Sequence, residues 1–254
     1  MVLIHQITLG NDVPEFNRQC LNSWRKLAGR DFEIVCWNDR RVSEYLENCP
    51  VAEAPMLVKM SRNYGEVSDI LRMAIAYSYG GLYVDWDVLL VDAEKFLGLV
   101  GPLESTSGVL IRDPHTTAPE FSCVYDNSLF YMRKGNPLAR DFLAEINENY
   151  AKKPLPITPY LTGPLALTSF LESHPLYKND CRMVDMRDIY AFDYDDVIGR
   201  TKDHRQRDVL LNDVKPGGAP AIHFWTHAWV PRPKWSKRVV NKVLRTFKKA
   251  IGVC

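Results

Sequence analysis

The stretch Tyr79-Gly80-Gly81-Leu82-Tyr83-Val84-Asp85-Trp86-Asp87 carries the strongest indication of how this chain folds. Before it, residues 61–79 place small and apolar side chains on one helical face, and the glycine pair ends that helix. An apolar strand begins at once with Leu82 and stops at two carboxylates. A helix that leads straight into a buried strand predicts an α/β protein.

The same alternation of helix and strand continues in both directions along the chain. Towards the N-terminus, the pattern predicts a strand at 2–7, a helix at 14–27 and a strand at 32–37, which together form a β-α-β unit. The remaining predicted elements are a short helix at 42–47, a loop at 48–55, an apolar strand at 88–91, strands at 108–112 and 127–132, and helices at 137–150 and 164–173. We therefore expect the α/β fold class, with a Rossmann-like mixed sheet flanked by helices, over residues 1–230.

The composition is that of a soluble globular protein. The chain has 254 residues, of which 46% are hydrophobic and 25% charged, which suits one α/β domain. Its six cysteines show no CxxC spacing and are expected to be reduced thiols. The N-terminal residues do not resemble a signal peptide, and no apolar run approaches the roughly 18 residues that span a bilayer. These features predict a cytoplasmic protein.

The C-terminal segment 231–254 differs from the rest of the chain in charge. From Arg232 onwards it holds eight Lys and Arg and no acidic residue, whereas the remainder has 24 basic and 31 acidic residues and a net charge of −7. Apolar residues recur through the segment at helical spacing, which predicts a basic amphipathic helix. Such a helix suits the anionic inner face of a membrane, or it docks on the body with its basic face in solvent. Nucleic acid is not an expected partner, because the body is acidic and carries no nucleic-acid-binding motif.

Asp85 and Asp87 stand at i and i+2, directly after the buried strand. Ligands of open α/β sheets bind beyond the carboxyl ends of the strands. Two carboxylates at such a place repel each other unless a cation joins them, and hard oxygen ligands suit Mn²⁺ or Mg²⁺, which in turn suit a diphosphate. Alone, however, the D-x-D pattern is short, and an aspartate at a strand end is often a turn or a helix cap.

The block around these carboxylates is much longer than the D-x-D pattern. Ser68-Asp69-Ile70-Leu71-Arg72 and residues 79–87 closely resemble the sugar-binding region of the DXD-containing glycosyltransferase family 32. That family includes fungal mannosyltransferases and bacterial capsule enzymes, and the same block occurs in the large glucosylating cytotoxins. Weaker similarities extend the resemblance over about residues 1–230, at 4–7, 24, 37–39, 162–164 and 221–225. The resemblance implies a GT-A fold and retention of the anomeric configuration.

The resemblance implies roles for the charged residues of this block. Asp69 would bind sugar hydroxyls, and Arg72 would bind the sugar or the diphosphate, for which a guanidinium is well suited. The spacing of these two residues also fits a simple ion pair on one helix face. Asp87 would bind the metal directly, Asp85 would share it through water or hold the ribose, and His223 would complete the metal site.

The resemblance also implies contacts to the nucleotide, the sugar and the acceptor. The expected binding residues are Gln6, Ile7, Thr8, Tyr83, Trp86, Asp126, Asn127, Gly163, His227 and Trp229. Packing is the alternative role for Tyr83, and a turn before a strand is the alternative for 126–127. The family often has Ser-Trp where this chain has Ala228-Trp229, so Thr226 or His227 would have to replace the serine. An acidic group at 193–196 is interpreted as a solvated loop rather than a second metal site.

These features predict a retaining, metal-dependent glycosyltransferase. It would move a hexose or N-acetylhexosamine from a nucleotide sugar, with UDP favoured, to a glycan or lipid-linked acceptor in cell-surface polysaccharide synthesis. One alternative is a transferase that modifies a protein, and another is a non-catalytic nucleotide-sugar-binding module or a metal phosphohydrolase. The presence of all four residues that the chemistry needs argues against a degenerate binder.

Overall fold

The computed structural model of the protein describes residues 1–10, 13–28, 31–115, 118, 120–152, 154–197, 204–214 and 217–226. Their strands are β1 (Val2–Ile7), β2 (Phe32–Trp37), β3 (Gly81–Val84), β4 (Val88–Leu90), β5 (Gly108–Asp113), β6 (Val124–Met132), β7 (Cys181–Asp185) and β8 (Ala221–His223). One sheet has six strands in the order β2-β1-β3-β6-β5-β7, and a second sheet pairs β4 with β8. Strand β1 runs parallel to β2 and β3, whereas β6 runs antiparallel to β3 and β5. The predicted β-α-β unit and mixed sheet are therefore confirmed.

Helices pack on both faces of the six-stranded sheet. The helices of the described residues are α1 (Glu15–Ser23), α2 (Asp39–Glu47), α3 (Glu53–Met60), α4 (Tyr64–Tyr79), α5 (Ala93–Val100), α6 (Pro137–Ala151), α7 (Thr158–Leu161), α8 (Pro164–Ser173), α9 (Leu176–Asn179), α10 (Met186–Ile189), α11 (Tyr194–Val197) and α12 (His204–Asp213). Of these, α1, α11 and α12 pack in a separate cluster with the second sheet. Successive side chains of a strand point to opposite faces, and Tyr83 accordingly lies in the cluster with α4, α6 and α8 while Leu82 and Val84 lie in the cluster with α5. Packing is thus one role of Tyr83, whose side chain is buried. The predicted arrangement of a sheet flanked by helices is confirmed.

Several boundaries differ from the sequence-based expectation, and two of them are explained by the residues present. The segment 48–55 was expected to be a loop, but α3 begins at Glu53, because Pro55 lies in the first turn of the helix, where no backbone N–H donor is needed. Strand β6 begins at Val124 rather than at 127, so Asp126 lies inside the strand together with Asn127, and the turn considered for 126–127 is absent. Polar residues there did not suggest a strand, and their hydrogen bonds in the site described below explain how they are buried.

The glycine pair connects α4 to β3 through backbone angles that other residues avoid. Gly80 has φ +66° and Gly81 has φ +118°. A Cβ atom on Gly80 would lie 2.4 Å from the backbone nitrogen of Lys134, and one on Gly81 would lie 2.4 Å from the carbonyl oxygen of Leu3. Glycine is therefore needed at both positions, for its angles and for the close approach of neighbouring backbone.

His5 ties this connection to the first two strands. Its Nε2 lies 2.7 Å from the carbonyl oxygen of Gly80, and its Nδ1 accepts a hydrogen bond of 3.1 Å from Trp37 Nε1. Because an indole N–H only donates, Nδ1 is unprotonated and Nε2 donates to Gly80. Burial lowers the pKa of His5 to about 4; the Gly80 hydrogen bond opposes this change and the charge of Arg41 adds to it. The fold therefore holds His5 as a neutral ring of defined tautomer.

Among the helices that the structure describes, none combines the length and the apolar character of a membrane span. The expected amphipathic helix at 231–254 lies outside the described residues, and so does the proposed boundary near residue 230.

Replacing Gly81 by alanine should destabilise the protein strongly. Strain at a positive φ and the contact with the Leu3 carbonyl each cost about 1–3 kcal/mol, so we expect a loss of about 3 kcal/mol in the free energy of unfolding, measured by urea denaturation. Gly98→Ala is the matched control, because a Cβ at this helical position meets nothing within 4 Å and alanine favours helix by about 1 kcal/mol. Equal effects of the two substitutions would contradict the role given to Gly81.

The free energy of unfolding should fall below pH 6.5, because His5 takes up a proton in the unfolded state at a higher pH than in the folded state. Its pKa in the folded state is about 4, below the value of 6.5 for an unperturbed histidine, so the folded state favours the neutral ring. This stabilisation is fully present above pH 6.5 and is lost as the pH falls from there to about 4, with a total of roughly 3 kcal/mol. The difference in unfolding free energy between wild type and His5→Gln should shrink over that interval, and a pH-independent difference would show that His5 is not held neutral.

Candidate active site

Two carboxylates and an imidazole meet at the end of β3. One ligand atom each from Asp85, Asp87 and His223 lies within 4.8 Å of the other two. Asp85 and Asp87 occupy the turn between β3 and β4, and the antiparallel pairing of β4 with β8 sets His223 opposite Val88. The small second sheet therefore brings the imidazole to the carboxylates from a distant part of the chain, as the resemblance implied.

Asp87 is held in its charged form. Its Oδ2 accepts hydrogen bonds from the backbone N–H of Thr226 at 2.7 Å and from Thr226 Oγ1 at 3.0 Å. Its Oδ1 lies 3.4 Å from His223 Nε2. Burial by itself raises the pKa of Asp87, but the charge of His223 and these hydrogen bonds outweigh burial and lower the pKa to about 2. Asp87 is thus anionic throughout the neutral range.

Asp85 is the less stabilised carboxylate of the pair. Its Oδ1 accepts a hydrogen bond of 2.5 Å from Tyr83 Oη and lies 3.2 Å from Arg72 Nη2. Burial raises its pKa to about 6; Arg72 lowers the pKa and the neighbouring charge of Asp87 raises it further. Its side chain keeps 23% of its surface exposed, so this carboxylate faces the open side of the site.

Arg72 is buried and all its N–H groups face protein acceptors. Its Nε donates to the carbonyl of Ser68, Nη1 donates to the carbonyl of Asn127 and lies 3.5 Å from Asp85, and Nη2 lies 3.2 Å from both Asp69 and Asp85. A guanidinium has five N–H groups, and its plane lies 4.7 Å from the centre of the Tyr83 ring. Contact of Arg72 with donor phosphate stays a prediction, and in this structure Arg72 binds the two carboxylates.

Asp69 is equally enclosed. Asn127 Nδ2 donates to its Oδ1 at 2.9 Å, and Thr162 Oγ1 donates to its Oδ2 at 2.8 Å. Burial raises the pKa of Asp69, and the charge of Arg72 and both hydrogen bonds oppose that increase. The ion pair at i and i+3 is therefore present, but it is buried rather than exposed on a helix surface. Binding of sugar hydroxyls by Asp69 stays a prediction.

A bulge in β6 delivers three polar residues to this region. The pairing with β5 jumps from Phe130 to Asp126 between consecutive residues of β5, which leaves residues 127–129 opposite no partner on that strand. Bulges of this kind redirect side chains next to active sites. Asn127 points to Asp69, whereas Asp126 accepts from Ser128 Oγ at 2.5 Å and from Tyr190 Oη at 3.0 Å.

The residues expected to face the base lie at the end of β1. The side chain of Gln6 donates to the carbonyl of Leu21 at 3.1 Å, Ile7 belongs to the hydrophobic core, and Thr8 is partly buried with its N–H bonded to Trp37. The side chains of Gln6 and Ile7 are thus engaged within the protein. Their assignment to the nucleotide stays a prediction that the structure does not test.

The remaining expected contacts are distributed as follows. Trp86 stands between Asp85 and Asp87 in the sequence and is partly buried. Its carbonyl oxygen lies 3.5 Å from Asn17 Nδ2. Gly163 precedes α8, next to the residue that binds Asp69. The positions of His227 and Trp229 lie outside the described residues. In the acidic group at 193–196, Asp193 is half-exposed and pairs with Arg187 at 3.3 Å, whereas 194–196 belong to α11 and not to the expected loop.

Sequence reasoning missed the hydroxyl residues that hold the charged groups. Thr162 binds Asp69, Thr226 binds Asp87, Ser128 links Asp126 to His223, and Tyr190 binds Asp126. Thr162 and Thr226 stood inside segments that the resemblance covered, so their positions were available. Nothing in the sequence indicated which acid each hydroxyl would meet.

The residues at the end of β3 fit a divalent cation. Carboxylate oxygens and an imidazole nitrogen are ligands that Mn²⁺ accepts. This region contains the buried carboxylates of Asp69, Asp87 and Asp126, the partly exposed carboxylate of Asp85, and two cationic side chains, from Arg72 and His223. A divalent ion bound by Asp85, Asp87 and neutral His223 would replace one positive charge by two and so reduce this excess of acid.

Removal of the Arg72 charge should destabilise the protein. Arg72→Gln leaves two carboxylates without their buried countercharge, which costs about 3–5 kcal/mol, measured by urea unfolding. Arg18→Gln is the matched control, since it also breaks an i, i+3 helix pair, but one whose side chains are 59% and 71% exposed, and should cost less than about 1 kcal/mol. In a double-mutant cycle with Asp69→Asn, the loss of unfolding free energy in the double variant should be smaller than the sum of the losses in the two single variants, by about 1 kcal/mol or more. Additive effects would mean that the two side chains do not interact.

Comparison with known proteins adds independent information about this region. Residues 14–97 match a family model described as the glycosyltransferase sugar-binding region containing DXD motif. Inositol phosphoceramide mannosyltransferase 3 of Schizosaccharomyces pombe is 29% identical over 93 residues, which are 34% of this chain and 24% of that protein. Subversion of eukaryotic traffic protein A of Legionella pneumophila is 28% identical over 108 residues, 34% of this chain and 17% of that protein.

The matches thus span about a quarter or less of the length of these two curated relatives. Among solved structures, the PaToxG glycosyltransferase aligns with 100% of this chain and 78% of its own, at 16% identity and a TM-score of 0.48. The segment that matches the family model, residues 14–97, contains Asp69, Arg72, Asp85 and Asp87 and ends within α5. The resemblance to DXD-containing glycosyltransferases of the family 32 type is therefore confirmed over residues 14–97, which match the model of that sugar-binding region.

Proposed function

We propose that the protein is a metal-dependent, retaining glycosyltransferase that moves a hexose or N-acetylhexosamine from a nucleotide sugar to an acceptor hydroxyl. The observation that carries this proposal is the meeting of Asp85, Asp87 and His223 at the strand end that the DXD block provides. Two of these residues belong to the matched segment, and the third arrives on β8 from 126 positions beyond its end. A site assembled from such distant segments is unlike a chance D-x-D turn.

The residues divide between charge stabilisation and support. A divalent cation bound by Asp87, Asp85 and His223 would neutralise the diphosphate as it leaves. Asp87 is anionic in the neutral range and the Asp85 side chain is partly exposed, so a ligand can approach the pair from the side of Asp85. Arg72 and Tyr83 hold the Asp85 carboxylate in place, which keeps the site organised before the donor arrives.

The contacts of the site carboxylates support retention by attack on the front face of the sugar. Among the described residues of the site, the oxygens of Asp69 and Asp126 are engaged by hydroxyl and amide donors, and Asp85 and Asp87 belong to the metal-binding group. None of these carboxylates is placed as a free enzymic nucleophile. In the proposed reaction the acceptor oxygen attacks the anomeric carbon as the bond to the diphosphate breaks, and the leaving phosphate takes the acceptor proton.

A lipid-linked acceptor is the version of the proposal that we favour. One relative is named for mannose transfer and for inositol phosphoceramide, which is a lipid. The basic segment 231–254 would add attraction to an anionic membrane, and the protein would then act at the inner face of the membrane in synthesis of a surface glycan. UDP is the favoured nucleotide because of the weighting of the family that the sequence resembles.

The proposal predicts turnover that depends on both a metal and a matching donor. The protein should transfer sugar from one donor in a panel of UDP- and GDP-sugars with Mn²⁺, tested with soluble glycans and with vesicles that contain glycolipid, and chelation should abolish transfer. Asp87→Asn should reduce kcat by about 1,000-fold, the effect of losing several kcal/mol of transition-state stabilisation. Asp193→Asn, which changes a half-exposed acid directly before α11, is the control and should leave kcat unchanged.

The outcomes of this experiment separate the competing functions. Absence of metal-dependent donor binding and turnover with every donor would overturn the transferase proposal. Metal-dependent release of phosphate without a glycosylated product would favour the phosphohydrolase, and donor binding without turnover would favour the binding module. NMR of the product reports the anomeric configuration, and an inverted product would contradict retention.

A further inference from the structure

Strand β4 leads from the DXD turn into the small second sheet, and within the described residues β8 is its strand partner. On the edge that meets β8, the N–H of Phe224 donates to the carbonyl of Asp87 at 3.1 Å. Backbone groups of alternate residues in an antiparallel pair point to the same edge. The N–H and C=O groups of Val88 and Leu90 therefore point to the other edge, away from β8.

Side chains from the end of α1 and from the turn that follows it bind this other edge. Trp24 Nε1 donates to the carbonyl of Val88 at 2.9 Å, and the N–H of Leu90 donates to Ser23 Oγ at 2.8 Å. Lys26 Nζ donates to the carbonyl of Leu90 at 3.1 Å. The fourth group, the N–H of Val88, is bound within the DXD turn. Ser23, Trp24 and Lys26, which we call the β4 clamp, thus take the place of a neighbouring strand.

Trp24 is the member of the β4 clamp that packing holds most firmly. Its side chain is fully buried, and its ring meets that of Phe96 edge to face, with ring centres 5.2 Å apart. Packing therefore sets the direction of the indole N–H, which is aimed at the carbonyl of Val88, itself a buried residue. A buried carbonyl that loses its donor is destabilised, so the position of Val88 is coupled to that of the indole ring.

We propose that the β4 clamp, with Trp24 at its centre, is a positioning device that keeps the Asp87 carboxylate in place against Thr226 and His223. A strand that is bound along one edge alone can tilt about that edge, whereas β4 is bound along both. Asp87 Oδ2 lies 2.7 Å from the N–H of Thr226, and Oδ1 lies 3.4 Å from His223 Nε2. A shift of about 1 Å is enough to impair such a site.

The inference deepens the proposed function, on which its consequence for metal binding rests. Its structural part concerns the protein without metal, nucleotide or acceptor, and it can be tested there. Trp24 acts through the backbone of Val88, so it is a positioning residue and not a metal ligand.

The first experiment follows amide hydrogen exchange by NMR in the protein without metal, nucleotide or acceptor. Exchange reports how readily each hydrogen bond opens, and the N–H groups of Phe224 and Thr226 bind the carbonyl and the carboxylate of Asp87. Trp24→Phe keeps an aromatic ring and removes the donor. We expect these two amides to exchange about 10-fold faster relative to the amides of β5, which is paired on both edges, because one hydrogen bond contributes about that factor. A ratio equal to that of the wild type would overturn the proposal.

Trp37→Phe is the matched control for the loss of a buried indole N–H. Trp37 is 2% exposed, and its Nε1 donates to His5 Nδ1 at 3.1 Å, in the six-stranded sheet. This variant should leave the exchange of Phe224 and Thr226, relative to β5, at the wild-type value. An equal rise of the ratio in Trp24→Phe and Trp37→Phe would mean that general loosening of the protein is responsible, and the proposal would then be wrong.

Lys26 provides a second test that leaves the core intact, because this residue is exposed. Lys26→Met keeps a long aliphatic side chain but removes the donor to the carbonyl of Leu90, so the same exchange ratio should rise about threefold. Lys26→Arg keeps a donor and should preserve the wild-type ratio. An unchanged ratio in Lys26→Met, or an equal rise in Lys26→Arg, would contradict the role of the β4 clamp.

The second experiment measures Mn²⁺ affinity by electron paramagnetic resonance without nucleotide. Trp24→Phe should weaken binding about 10-fold, as is typical when a residue that orients a metal ligand is lost, and Trp37→Phe should bind like the wild type. Wild-type affinity in Trp24→Phe would overturn the link between the β4 clamp and the metal ligands. Absence of Mn²⁺ binding in the wild type would instead contradict the proposed metal-dependent function, and the exchange ratios would still decide whether the clamp positions Asp87.

Discussion

The buried guanidinium of Arg72 is the constraint on which the rest of the site depends. It joins three elements at once, since it binds Asp69 on α4, Asp85 at the end of β3 and the carbonyl of Asn127 on β6. A buried cation is stable only when its donors are satisfied, and loss of a partner costs several kcal/mol. The helix and the two strands can therefore pack in few arrangements other than this one. The position of the Asp85 carboxylate is a consequence of that packing.

The positions of Asp87 and His223 in the metal-binding group depend on contacts between distant parts of the chain. Thr226 binds Asp87 across 139 positions in sequence, and the pairing of β4 with β8 carries His223 to the same place. Asp85 and Asp87 lack the third member of the metal-binding group, His223, until β4 pairs with β8. Contacts between residues close in sequence and contacts between distant residues thus determine different parts of the site. Arg72 and the glycine pair place the carboxylates, and the second sheet adds the imidazole and the N–H group that keeps Asp87 charged.

The parts of this structure that could be predicted are those encoded by neighbouring residues. The glycine pair, the strand after it and the i, i+3 spacing of Asp69 and Arg72 indicated α4, β3 and one face of the site before any coordinates were known. The β6 bulge could not be predicted, because it results from the pairing between β5 and β6, and it sends Asn127 to Asp69 and Ser128 to His223. Serine and threonine are common in all proteins, so their partners become visible only when the register of the strands is known.

The charges of the site also determine how a nucleotide sugar can be held. Four carboxylates, three of them buried, face two cationic side chains, and Arg72 already directs its N–H groups to protein acceptors. A diphosphate brings further negative charge to a region that has an excess of acid, so it can be stable there only together with a cation. If Arg72 also binds the donor, each new bond must replace one to Asp69, Asp85 or Asn127. The donor and its metal would then enter as one nearly neutral unit, and the protein groups that surround Asp85 and His223 would serve mainly to keep the metal ligands in place for it.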